Sequence, residues 1–256
     1  MPTGTTVIES PRAIDLGHAL EHAEDGFSLR FVVRIGAVAT PPTYVATRLV
    51  LPREAGGSVS AWIVPLDATH VSAFETEWMP ELRAMGQHDV GWDWRGELNR
   101  SANVPEFELY ALVAAGSGPA AIASRLRNRP PKNRQRLHAM SSLRRGRVSE
   151  LAADSLVMYL ELLAAAPWNR VERKPKRELL CGRAMMVHVI QRSIAAGFEG
   201  RVGLHSLEDP HTHAAYRRYG MTECGRDPEV CGNDGQPELY FEFSVDDAMR
   251  FLTRTT

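Results

Sequence analysis

The sequence predicts an α/β fold, and three stretches carry that prediction. Residues 155–166 form an apolar, strand-like run. After a loop, Leu180, Ala184, Val187 and Ile194 follow one another at spacings of 4, 3 and 7, with Met186 and Ile190 flanking, which marks one face of a helix over residues 183–196. Residues 200–205 then read as a short strand, and residues 214–221 as a helix that ends at Gly220. Strand, loop, helix, strand, helix in that order is the grammar of an α/β domain.

Composition narrows the class. A chain of 256 residues holds one or two domains, and 44% hydrophobic with 24% charged residues is ordinary for a soluble globular protein. The net charge of −1 supplies no global field towards nucleic acid or membrane. No apolar run reaches the length of a membrane span. The first ten residues lack the charged-then-apolar pattern of a signal peptide. Cys181, Cys224 and Cys231 make an odd count, which argues for a reducing compartment over a disulfide framework. A cytoplasmic location is expected.

Taken in order, residues 1–26 are polar and mixed, with one short helix expected over 14–23. Residues 29–35 and 43–51 are rich in Val, Thr, Phe and Tyr and predict strands, separated by Pro41 and Pro42. The Gly56-Gly57 pair marks a linker, so residues 1–57 read as an N-terminal extension and 58–256 as the main domain. Residues 59–66 predict its first strand. Asp67 or Thr69 can cap a helix through Phe74 and Trp78, with Pro80 interrupting or restarting it. Residues 106–115 predict a second strand, and 120–126 and 137–143 two more. Residues 149–154 read as a turn before the central strand. Residues 237–243 predict a late strand. Ser244 caps the last helix, with Asp246 and Asp247 in its first turn and Arg250 near its end, as the helix dipole favours.

The loop from Arg177 to Gly182 is the best motif. A helix's first turn offers free N–H groups and a positive dipole end, which suit a pyrophosphate. Arg177 and Gly182 fit the form Arg/Gln-x-x-Gly-x-Gly/Ala, with Leu180 in place of the first glycine. Downstream, Tyr216, Gly220 and Met221 fit a Tyr, three residues, Gly, apolar pattern. In this order the two motifs resemble the GNAT superfamily of N-acetyltransferases, over residues 155–222 and by extension from residue 58 to the end. The resemblance implies a mixed, mostly antiparallel sheet, splayed near its central strand and flanked by helices. It implies acetyl-CoA as cofactor, held by Leu163 and Ala164 on the strand and by Arg177, Leu180, Cys181, Gly182, Arg183 and Ala184 in the loop and first turn. It implies direct acetyl transfer to a primary amine, small molecule or protein, with Tyr216 as general acid and a strand glutamate as general base.

Glu161 is the acid within residues 156–166, and a carboxylate in such a strand is costly unless it is paired or works at a cleft. Strict alternation puts Tyr159, Glu161 and Leu163 on one face. Glu161 is therefore either the base or the partner of a nearby arginine. Trp92, Asp93 and Trp94 can hold an amine by cation–π and charge contacts, or clamp a helix onto the sheet. Residues 125–147 carry nine Lys/Arg and no acid, so they track a nucleic-acid phosphate backbone, steer an acidic substrate or the cofactor's own phosphates, or form a solvated loop. His205, His211 and His213 with Cys224 and Cys231 match no standard zinc spacing, and no metal is expected. The strands over 29–51 offer an edge for a homodimer. Two other functions stay open: a catalytically weakened GNAT domain that binds coenzyme A or a partner, and an RNA-binding protein acting on tRNA through the basic run.

Overall fold

A computed structural model of the chain describes residues 46–52, 56–115, 135–170, 180–232 and 235–254. Eight strands form one sheet. They are β1 (Thr47–Pro52), β2 (Ser58–Pro65), β3 (Phe107–Ala115), β4 (Gln135–Val148), β5 (Leu156–Ala165), β6 (Val202–Ser206), β7 (Thr222–Cys231) and β8 (Pro237–Phe243). Their spatial order is β1-β2-β3-β4-β5-β6-β8-β7. Every neighbouring pair is antiparallel except β5 with β6, which is parallel. This is the mixed, mostly antiparallel sheet that the family resemblance implies. No helix among the described residues is long and apolar enough to cross a membrane.

Helices cover the sheet on both faces and divide the core. On one side lie α4 (Cys181–Ala195), α5 (Pro210–Tyr219) and α6 (Val245–Thr253). Met185, Met186, Val189 and Ile190 of α4 pack there with Met158, Leu160, Val202, Leu204, Phe241 and Phe243 from the strands. On the other side lie α1 (Ala68–Ala73), α2 (Met79–Ala84) and α3 (Trp94–Asn103). That layer is built on Trp62, Phe74, Trp78, Trp94 and Trp168. Edge-on ring contacts join it, such as Trp78 to Trp168 at 6.1 Å between ring centroids.

Local chemistry sets the element ends. Asp67 caps α1 by accepting from the Thr69 and His70 amides, and His70 returns the bond through Nδ1, a reciprocal capping box. Pro80 restarts the helical path, one of the two outcomes the sequence allowed. The preceding turn widens to a π-helix over Phe74–Trp78, and Pro80 falls in the first turn of α2, where its missing N–H leaves no bond unmade. Ser244 caps α6 through the Asp247 amide.

Three elements differ from the sequence reading. β1 belongs to the same sheet as the rest, with Leu49 and Leu51 in the main core, so the sheet begins before residue 58. β7 and α3 had no apolar periodicity to announce them. β7 is mostly exposed and broken by Gly225 and Pro228, which a strand at the sheet's edge tolerates. The expected elements at residues 14–23, 29–35 and 120–126 lie outside the described residues.

Candidate active site

The site starts where the sheet opens. β5 and β6 are paired only at Met158–Val202 and Tyr159–Gly203. Beyond Tyr159 the two strands part, and β5 has no ladder partner on that side among the described residues. At the same level β5 bulges. Leu160 lies opposite Leu143 and Leu162 opposite Ser142, so Glu161 is the extra residue between them. A bulge resets the alternation of side chains. Met158 and Leu160 face the α4 layer before it, and Leu163 and Ala165 after it, while Leu162 and Ala164 turn to the tryptophan layer. Strict alternation placed Leu163 with Tyr159, and the bulge removes it to the other face.

Glu161 stays on the face of α3. Its carboxylate meets Arg144 Nε at 2.8 Å and Arg100 of α3 at 3.6 Å. Arg144 also lies 5.3 Å from the Tyr159 ring. Glu161 is thus paired with arginine, and it lies at the level where β5 parts from β6. Burial raises its pKa above the ordinary carboxylate value, against the charge of Arg144.

Helix α4 opens beside this gap. Its N-cap residue, Leu180, gives no side-chain cap, and the first turn holds no acid. Among the described residues no acidic side chain stands in that turn, and first-turn N–H groups with the positive end of the dipole suit an anion. Cys181 and Ala184 are buried in the core, which anchors the turn. Among the described residues, a side chain at Gly182 would meet nothing nearer than Tyr219 Oη, 3.6 Å from its Cβ. Arg183 turns towards α6, donating to the Arg254 carbonyl at 2.7 Å and lying 5.4 Å from the Phe251 ring centroid. The Leu180 amide donates to the Pro52 carbonyl of β1 at 3.4 Å. Arg177 lies outside the described residues.

The Tyr-to-Gly spacing has a local cause. Gly220 ends α5 in the left-handed region at φ 95°, and the Met221 amide donates back to the Tyr216 carbonyl at 3.1 Å. Tyr216 packs its ring 5.5 Å from Phe241. Its hydroxyl makes no hydrogen bond among the described residues. Burial, then the neighbouring Tyr219 and Asp209, push its pKa well up, so it is protonated at neutral pH. Through Tyr219, α5 also reaches the first turn of α4.

Across the sheet the structure assembles a polar group that the sequence reading missed. Tyr159 Oη lies 2.6 Å from His205 Nδ1, and His205 Nε2 lies 3.1 Å from Asp227 Oδ2. Arg147 pairs with Asp227 at 2.7 Å. The residues come from β5, β6, β7 and β4, so no short motif signals them. His205 is therefore not gathered with His213, which packs on Phe241, and no cluster of three metal-ligating side chains forms among the described residues.

The other candidates fall elsewhere. Trp94 is buried in the tryptophan layer, Trp92 packs against it at 6.2 Å, and Asp93 caps α3 by accepting from the Gly96 amide at 2.8 Å. Asp93→Ala should therefore cost about 1 kcal/mol of stability, as lost N-caps do. Chemical denaturation with an unchanged slope would show it, and an unchanged midpoint would rule the cap out. Four of the nine basic residues are described, and each has a partner. Arg144 pairs with Glu161, Arg145 with Glu108 and Arg147 with Asp227, while Arg136 lies 3.5 Å from the Trp168 ring. Arg125, Arg127, Arg129, Lys132 and Arg134 lie outside the described residues.

Sheet order, splay and the helix opening beside the gap are the arrangement that the resemblance to the GNAT superfamily implies. No protein-family model matches the sequence, and no curated protein does. Solved structures similar to it include the ribosomal-protein-S18-alanine N-acetyltransferase from Escherichia coli, at 14% identity over 72% of this chain and 94% of that one, with a TM-score of 0.41. A tyrosine-to-phenylalanine mutant of KacT is 12% identical over 74% of this chain and 98% of its own, with a TM-score of 0.40. A mutant AtaT toxin, bound to the C-terminus of the antitoxin AtaR and acetyl-CoA, is 15% identical over 61% and 78%, with a TM-score of 0.36. Likeness at this level adds nothing to the reading of the site, which rests on the chain's own strands and side chains.

Proposed function

We propose that this chain is an acetyl-CoA-dependent N-acetyltransferase that passes the acetyl group directly to a primary amine. The observation that supports it is the meeting of three features: the parting of β5 from β6, the first turn of α4 with no acid in it, and the protonated Tyr216 on the helix that reaches that turn. The amides of Cys181, Gly182, Arg183 and Ala184 would hold the pyrophosphate, with no side chain at Gly182 to obstruct it. Acetyl-CoA, when bound, supplies the thioester. Glu161, at the bulge, would take the proton shed by the attacking nitrogen as the C–N bond forms. Tyr216 would protonate the departing thiolate.

Gly182→Asp tests the cofactor site with little risk to folding. An acid in a helix's first turn is favourable to the helix, and the position has room. The same charge opposes a pyrophosphate. Wild-type protein should be stabilised by about 2.7 kcal/mol at a hundredfold excess of acetyl-CoA over its dissociation constant. The variant should melt no lower than wild type and lose the ligand shift. Equal shifts with acetyl-CoA and ATP, or none with either, would sink the assignment.

One observation favours a second reading. Leu180 stands where the loop motif has glycine, and its amide is directed to Pro52. A domain that binds coenzyme A without turning over would show the thermal shift and release no thiol from acetyl-CoA.

A further inference from the structure

The hydrogen-bonded chain of Tyr159, His205 and Asp227 has a direction. Tyr159 is the last β5 residue paired with β6, so its side chain stands at the apex of the splay. Asp227, at the other end, lines an open cavity of about 380 Å³ together with Arg147, Glu150, Cys224, Glu229 and Tyr240. His205 lies between the two and its side chain is only 2% exposed. The link runs from the opening of the sheet to solvent on its far edge.

The tautomer follows from the partners. Asp227 is held below the ordinary carboxylate range, first by the Glu229 amide and against some burial, so it is ionised and accepts. His205 therefore carries its proton on Nε2, donates to Asp227, and presents the Nδ1 lone pair to the Tyr159 hydroxyl. The groups facing His205 are Tyr159 from β5, Arg147 from β4, Tyr240 from β8 and Asp227 from β7. Burial and the charge of Arg147 lower its pKa, with Asp227 opposing, so the ring is neutral at pH 7 and free to take a proton. Gly203 makes room for this packing, because any side chain there would strike the Tyr240 hydroxyl. An aspartate orienting an imidazole that accepts from a hydroxyl is the logic of a catalytic triad, with tyrosine in the hydroxyl position.

We propose that Tyr159, His205 and Asp227 form a proton relay that strips an ammonium acceptor of its first proton at the apex of the splay and delivers it to the cavity beside β7. The inference rests on the acetyl-transfer reading, and it names the acceptor's class: an amine basic enough to arrive protonated. Transfer to an amine sheds two protons. The ammonium must lose one before its lone pair can attack, and the nitrogen loses another as the amide forms. Glu161 serves the second loss, and the relay serves the first. The ammonium N–H bond breaks as its proton passes to Tyr159 Oη, while the Tyr159 proton passes to His205 Nδ1. The imidazolium then loses its Nε2 proton by way of Asp227, which lines the cavity, to water there, and keeps the proton on Nδ1. Tyr159 is the catalytic residue of this step; His205 and Asp227 act through it as positioning residues.

Two probe amines of similar size separate the relay from a structural role. Propylamine is protonated at pH 7, and 2,2,2-trifluoroethylamine is largely neutral there and needs no such step. Thiol release from acetyl-CoA would be followed for wild type, Tyr159→Phe and His205→Gln. Both variants should slow propylamine at least about tenfold, within the range of general-base effects, and change trifluoroethylamine by less than about twofold. The propylamine deficit should shrink as the pH approaches the amine's own pKa. Equal losses with both amines, at all pH values, would overturn the relay and leave acetyl transfer standing. If wild type uses neither amine, ring-nitrogen NMR decides. Added propylamine should shift the His205 ring-nitrogen signals in wild type, through its hydrogen bond to Tyr159, and leave them unmoved in Tyr159→Phe. No movement in wild type would overturn the proposal. Absence of both an acetyl-CoA thermal shift and thiol release would defeat the transferase reading itself, with the NMR result then judging the relay alone.

Discussion

Tyr216→Phe should lower kcat by at least about tenfold, with acetyl-CoA affinity nearly unchanged. General-acid help is typically worth a hundredfold to ten-thousandfold, and tenfold corresponds to about 1.4 kcal/mol of barrier. The substitution isolates the chemistry because the ring does the packing. Phenylalanine keeps the contact with Phe241 at 5.5 Å between centroids, and the lost hydroxyl makes no hydrogen bond among the described residues. The melting temperature should therefore hold while turnover falls. The raised pKa also fixes a sign: the phenol remains an acid through neutral pH, so its contribution should not fade between pH 6 and about 9. Full kcat in the variant would make the hydroxyl structural. The case for catalysis would then rest on Glu161, the relay and ordered water.

The largest stability effect is expected at Glu108, on the α4 face of β3. Its side chain is completely buried. It accepts from Arg145 Nε at 2.6 Å, Arg192 Nε at 2.7 Å and the Tyr110 hydroxyl at 2.6 Å, tying β3, β4 and α4 together. Glu108→Gln removes the charge and leaves two partly buried guanidinium groups without it. Breaking a buried pair costs about 3–5 kcal/mol, and the partial exposure of both arginines points to the lower figure. For a chain of this size each kcal/mol is worth about 2–4 °C in melting temperature, so a fall of roughly 6–12 °C is expected. Burial by itself would raise the pKa of Glu108; the hydrogen bonds from Arg192 and Tyr110 and the arginine charges outweigh it and hold the pKa below its ordinary 4.5. A depressed carboxylate pKa gives stability that is present above the unfolded-state value and is lost as pH falls through the folded one. The gap between wild type and variant should therefore narrow as pH drops below about 4.5. A gap that is constant with pH, or a change below about 1 kcal/mol, would show that the network is not worth what its geometry suggests.

Much of the site's frame was legible because its signals are local. The first turn of α4 and the end of α5 are set by residues within a few positions of one another. The Gly220 cap accounts for the spacing back to Tyr216 through one backbone hydrogen bond. The same holds for the Asp67 and Ser244 caps. Asp93 and Trp94 show the limit of local reading. Their residue types suit an amine site, yet the structure uses the first as a helix cap and the second as core. Nothing in a short window separates a tryptophan that binds from one that packs, because both bury a large ring.

By itself, the sequence determined the order of the C-terminal elements, the caps that end them, and the presence of an acid in the central strand. Tertiary structure decided which face that acid serves. Side-chain parity along β5 depends on its register with β4, and the bulge at Glu161 exists only in that pairing. Tertiary structure alone also brought Tyr159, His205 and Asp227 together, across separations of 46 and 22 residues in the chain. Hydrogen bonds over such separations are fixed by strand order in the sheet, and neither propensity nor periodicity, which act over a few residues, carries that information.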